Sequence, residues 1–177
     1  AYREKKIKMP SMSTCPDERV NKYIKTISKN ICPEYRYMTV DNIDATLETP
    51  KYIHDKLVKS EITSVNLIVD ISNYVMIELG QPTHAFDRDK INGKLSIKPN
   101  YKKNIFIGID NKEYVIDKGM PVIIDEKNNI HALPGVIGSK LSAVNASTKS
   151  ILFESAFFIP DVVRAISRKF RIQTDSS

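Results

Sequence analysis

Two cysteines, Cys15 and Cys32, are too few to brace a fold with disulfides, and no cluster of histidine and cysteine accompanies them to hold a metal ion. No apolar run approaches the roughly 18 residues of a membrane-crossing helix, and no signal peptide opens the chain. These absences predict a cytoplasmic protein with incidental thiols, no metal and no membrane contact. The glycine-containing segment LPGVIGSK, residues 133–140, lacks the GxxxxGK[ST] spacing of a P-loop, and its lysine follows the serine rather than preceding it. Acidic residues are outnumbered, leaving a net charge of +6. That excess permits a polyanionic partner such as nucleic acid without demanding one. At 177 residues the chain can bury a core as one domain. It opens on alanine and stops at TDSS straight after a basic segment, as expected of a piece cut from a longer polypeptide.

What is present is organised around Val65–Asp87, VNLIVDISNYVMIELGQPTHAFD. Asn66, Asp70 and Asn73 interrupt its apolar part at steps of four and three, which places them in one narrow sector of a helix. Strand alternation would instead set Asn66 and Asp70 on a face with Ile68, a less tidy division. Gly80 suits the position just past a helix end, and Pro82 forbids continuation. His84 is presented immediately afterwards. Helix, stop and histidine together predict one wall of a site.

Residues 1–29 carry Arg3, Lys5, Lys6 and Lys8 with two prolines, and read as a basic linker or arm ending in a leading strand. Lys22–Ser28 and Tyr35–Asn42 alternate as strands. Thr49-Pro50 opens a helix whose apolar side carries Tyr52, Ile53, Leu57 and Val58. Beyond Asp87 the period shortens into strand-like runs at Lys94–Pro99, Asn104–Asp110, Lys112–Ile116, Val122–Asp125 and Ile130–Leu133, separated by turn residues. The predicted class is α+β, with a largely antiparallel β-meander sheet packed with helices in a single domain.

Three further features carry chemistry. Gly135 and Gly138 let the backbone bend and let a ligand approach bare amides, or serve simply as turn glycines. Ser150–Phe158 is the strongest strand, and alternation puts Glu154 on a face with Leu152, Ala156 and Phe158. A carboxylate there must find a partner, stay partly wet or serve a site, because burying it unpaired costs several kcal/mol. Pro160-Asp161 opens a last helix with Val162, Val163, Ile166 and Phe170 inward. Arg164, Arg168 and Arg171 line another face, as solvated cations near a helix end or as a phosphate-contact strip.

Taken in order, CPEYRY from Cys32, VDISNYVMIELGQPTHAFD, GVIG, LFESAFF and the arginine-rich helix leading into TDSS resemble the central editing domain of the bacterial-type phenylalanine–tRNA ligase β subunit. The resemblance covers residues 30–177, and in the family the chain continues past TDSS. It implies hydrolysis of tyrosine misacylated onto phenylalanine tRNA, a second sieve needed because a phenylalanine pocket rejects an added hydroxyl poorly. By motif, Glu154 would receive the para-hydroxyl, with the Gly135 backbone beside it and Gly138 leaving room. Thr174 and Ser176 would line the amino-acid pocket. Asn73, Pro82 and His84 would lie near the ester, His84 as general base or as positioner of water or substrate. Phenylalanine tRNA and the synthetase α subunit, in an (αβ)2 assembly, are the implied partners, with no DNA. No cofactor is implied for editing; ATP and magnesium belong to the whole synthetase. Ser72 (conservatively), Pro134, Ser139 and Ser176 depart from the usual pattern; the altered loop residues Pro134 and Ser139 motivate the alternative, a tRNA-binding or scaffold module without catalysis.

Overall fold

Asn66 starts the organising helix rather than striping it. In a computed structural model, which describes residues 20–172, its side-chain oxygen accepts hydrogen bonds from the amides of Ile68 and Val69 at 3.1 and 3.0 Å. Helix α3 (Leu67–Leu79) then runs to Gly80, which adopts the left-handed conformation (φ +69°) that ends it. Asp70 is also structural. Its fully buried carboxyl accepts from Thr49 Oγ1 and Ser64 Oγ, each at 2.5 Å, and from the Val65 amide at 2.9 Å. These bonds tie α3 to the segment before it and to the end of the loop preceding α2 (Lys51–Lys59).

The chain enters through a helical turn, α1 (Val20–Tyr23), and β1 (Ile24–Ile27), so the strand expected over Lys22–Ser28 is shorter and begins helically. Next come β2 (Glu34–Asp41), α2, α3 and β3 (Thr83–Asp87). The following strands are β4 (Leu95–Pro99), β5 (Asn104–Ile107), β6 (Glu113–Ile116), β7 (Pro121–Ile124), β8 (Ile130–Leu133) and β9 (Ile137–Gly138). The last elements are β10 (Ser150–Phe157) and α4 (Pro160–Phe170), with Pro160 in the first turn of the helix as expected. The domain is α+β. Among the described residues the strands form three sheets, in the orders β1-β4-β7-β8-β9, β2-β10-β3 and β5-β6. Every pairing is antiparallel except β1 with β4.

The alternation of β10 sorts its side chains as its sequence requires. Leu152 joins Phe86, Tyr35, Ile97 and Ile123 in a core between the three- and five-stranded sheets. Ile151 and Phe153 point the other way, toward Ala85 and Ile68 of α3. On the far side of the five-stranded sheet, Val122, Ile124 and Leu133 pack with the β5-β6 hairpin and Ile166 of α4. Helix α3 thus covers the three-stranded sheet with α2 packed against it, while α4 covers the meander.

Candidate functional site

Strand β10 lies between β2 and β3, and its register decides which residues meet. Glu154 stands opposite Tyr37 on β2 and opposite His84 on β3. Directly paired residues share a sheet face, so the carboxylate and the imidazole flank each other on the face turned toward the five-stranded sheet. Two residues, seventy apart in sequence, are brought side by side.

Glu154 is only 6 % exposed. Burial pushes its carboxyl up to about 7, against a smaller downward pull from hydrogen bonding with the Tyr35 phenol. Its Oε2 is closed to solvent and lacks a hydrogen-bond partner among the described residues. A buried carboxylate with an unpartnered oxygen is a candidate binding position.

His84 is partly buried, and loss of hydration holds its imidazole down at about 4. The ring is therefore neutral at pH 7. It stacks edge-on against Phe86, with centroids 4.5 Å apart. Its other side rests on Gly138 of β9: a Cβ there would stand 2.6 Å from His84 Cε1 and 2.8 Å from Nε2. Gly138 is needed for the space that the imidazole fills, which refines the expectation that it leaves room in a pocket. Gly135 differs. Its φ of +68° turns the β8–β9 connection, and a Cβ would meet Val163 of α4 at 2.8 Å and Phe158 at 3.3 Å.

The structure thus brings Glu154, His84 and Gly138 together. Asn73 is half-buried on α3, next to Ser72, whose hydroxyl donates to the Thr83 carbonyl at 2.8 Å and so fixes the helix against β3. Pro82 is exposed just before β3. Arg164 and Arg168 are exposed on α4, Arg171 is exposed just past its end in the left-handed conformation (φ +53°) rather than on the helical face expected, and Arg164 pairs with Asp161. Thr174, Ser176 and the basic arm of residues 1–19 lie outside the described residues.

Two features escaped the sequence reading. Tyr35, 6 % exposed, lies on the Glu154 face of β2, opposite Ala156; alternation of β2 could have set it beside Tyr37, but not beside Glu154. A buried pair, His131 Nε2 and Asp125 Oδ2 at 3.2 Å, lies in the meander. Asp125 also accepts from Asn92 and Asn129, so this pair organises a turn. An open groove of about 340 Å³ lies between β5 and the β7–β8 and β9 turns; its only ionisable lining residue is Lys140, so it offers no acid–base pair.

Residues 31–177 match the B3/4 domain family, and the chain belongs to it. Its relatives include the phenylalanine–tRNA ligase β subunits of Psychrobacter arcticus (40 % identity, 82 % of this chain and 18 % of the relative) and Aquifex aeolicus (38 %, 90 % and 20 %). The chain spans about a fifth of these relatives' length. It is therefore a B3/4 domain of the kind that such β subunits carry. An N-terminal fragment of the phenylalanyl-tRNA synthetase β subunit from Pyrococcus horikoshii shares the fold, with a TM-score of 0.53 at 16 % identity over 80 % of this chain and 46 % of that one.

Proposed function

We propose that this domain edits: it hydrolyses tyrosine wrongly esterified to phenylalanine tRNA, as part of a phenylalanine–tRNA ligase β subunit. The observation that carries the proposal is the β10–β3 register, which sets a buried, half-satisfied carboxylate beside a neutral imidazole. Glu154 accepts the phenolic hydrogen of a tyrosyl group. Phenylalanine would leave the carboxyl unpaired, a penalty of roughly 1–3 kcal/mol or more. This is the direction in which a binding site discriminates well.

His84 then faces the ester. An imidazole held at about 4 is a weak proton acceptor at pH 7, well below the ideal for a general base. It orients the attacking water or the ester by hydrogen bonding, and oriented donors stabilise the oxyanion as water adds to the carbonyl. Asn73, Pro82 and Thr174 belong to the ester side in this reading, and Gly135 and Ser176 to the side-chain pocket. Arg164, Arg168 and Arg171 supply phosphate contacts to phenylalanine tRNA. The whole synthetase would pair this β subunit with an α subunit in the cytoplasm, and ATP and magnesium would serve only its activation chemistry.

The test incubates tyrosyl-tRNA for phenylalanine with synthetase carrying this domain, as wild type, His84→Ala and Glu154→Ala. Both variants should lose deacylation; hydrolysis that survives both changes defeats the site assignment. A second reading, a tRNA-binding or scaffold module without catalysis, draws on Pro134 and Ser139 in the loop that supports His84. It predicts salt-sensitive tRNA affinity with no deacylation above background, and measurable turnover by the wild type eliminates it.

A further inference from the structure

Glu154 is not the only buried polar group short of a partner on this face. Tyr35 Oη is also closed to solvent and also lacks a hydrogen bond of normal geometry among the described residues. Tyr35 lies opposite Ala156, two residues along β10 from Glu154, so its phenol is diagonal to the carboxyl across the β2–β10 pair. Diagonal neighbours on one face lie within reach of a long aromatic side chain. The phenol and the carboxyl do influence each other as hydrogen-bonding neighbours. Yet Tyr35 Oη and Glu154 Oε2 both remain unsatisfied. A donor and an acceptor, each on a side chain more than nine-tenths buried, are diagonal neighbours on one sheet face.

One chemical group could satisfy both: a hydroxyl that donates in one direction and accepts from the other. We propose that Tyr35 is a specificity-determining residue, and that a ligand's phenolic hydroxyl bridges it to Glu154, donating to the carboxylate and accepting from the Tyr35 phenol. This rests on the editing function proposed above and adds a second anchor to it. Phenylalanine would then leave two buried groups unpaired instead of one. Because both atoms are shielded from water, no solvent substitutes for the missing hydroxyl, and discrimination rises accordingly. His84, opposite Glu154 and partly exposed, marks the side on which such a site opens.

The experiment uses full-length synthetase with Tyr35→Phe, a change that keeps the ring and its packing; a thermal melt matching wild type confirms the fold. Binding of non-hydrolysable tyrosyl and phenylalanyl amides of 3′-amino-3′-deoxyadenosine is measured by calorimetry, alongside deacylation of the two corresponding tRNA esters. The variant should lose about tenfold in preference for the tyrosyl ligand, the scale of one buried hydrogen bond, with phenylalanyl binding unchanged or tighter. A merely structural Tyr35 would weaken both ligands alike. Wild-type preference retained in Tyr35→Phe overturns the inference while leaving the hydrolase intact. Wild-type protein that prefers the tyrosyl amide without hydrolysing the ester defeats the hydrolase reading, and loss of that preference in the variant still upholds Tyr35. Wild-type protein with no preference overturns both.

Discussion

Replacing Glu154 with glutamine should make the protein more stable at pH 8 while removing the discrimination for tyrosine proposed above. The magnitude follows from the carboxyl's surroundings. Its proton affinity rises from an ordinary 4.5 to about 7 because the charged form is stripped of water on β10. The unfolded chain releases this proton near pH 4.5, whereas the native state holds it until about pH 7. Between those values the native state binds more protons, so stability falls as pH rises through the window and stays lowered above it. At roughly 1.4 kcal/mol per pH unit, the loss amounts to about 3 kcal/mol by pH 8. Glutamine carries no charge to desolvate and escapes that loss. Urea unfolding followed by circular dichroism at pH 4.5 and pH 8 measures the difference. The two proteins should be nearly matched at the lower pH and about 3 kcal/mol apart at the higher, with the variant the more stable. A difference that does not change with pH would mean that Glu154 ionises as a solvated carboxylate does, and the description of a dry, half-satisfied recognition group would fall.

Two substitutions probe the neighbouring geometry. Gly138→Ala places a methyl group 2.6 Å from the His84 ring, so the imidazole must move. Deacylation should drop by about tenfold or more, with a stability loss of about 1–3 kcal/mol; an unchanged rate would show that the observed ring position is not the working one. Asp70→Ala removes the acceptor of three hydrogen bonds and should cost about 3 kcal/mol or more. Hydrogen exchange at the Val65 amide should accelerate in this variant, while the rate per folded molecule stays near wild type because Asp70 touches neither Glu154 nor His84.

Much of the local structure was legible because its signals are local. Gly80 and Pro82 end α3 where expected, Pro160 starts α4, and the alternation of Ser150–Phe158 matches the side chains that β10 buries. The polar stripe was legible but ambiguous, since Asn66 caps and Asp70 braces, while Asn73 sits half-buried on α3, the helix that packs on the sheet face opposite Glu154 and His84. Pairing between distant strands was not legible. Nothing near Tyr35 announces that β2 will lie beside β10, or that β1 will run parallel to β4. Periodicity reports which face a residue takes, but a partner's identity depends on closing loops of some seventy residues for β1–β4 and β3–β10 and of more than a hundred for β2–β10, which leaves no trace in either segment alone. For that reason the Glu154–His84 pair came from resemblance, and Tyr35 was missed.

The resting of His84 on Gly138 has a consequence for how the molecule assembles. The histidine belongs to the three-stranded sheet and the glycine to the five-stranded one, so neither sheet alone contains the contact. β10 must also return across most of the chain to pair with β2, a long-range closure of the slow kind. A nascent or partly unfolded chain can hold hairpins and helices without holding the site. Hydrolytic competence should therefore appear late in refolding, with the docking of one sheet on the other, and local opening between the sheets should abolish it before the helices melt. The arrangement proposed to cleave the ester would thus report completed folding.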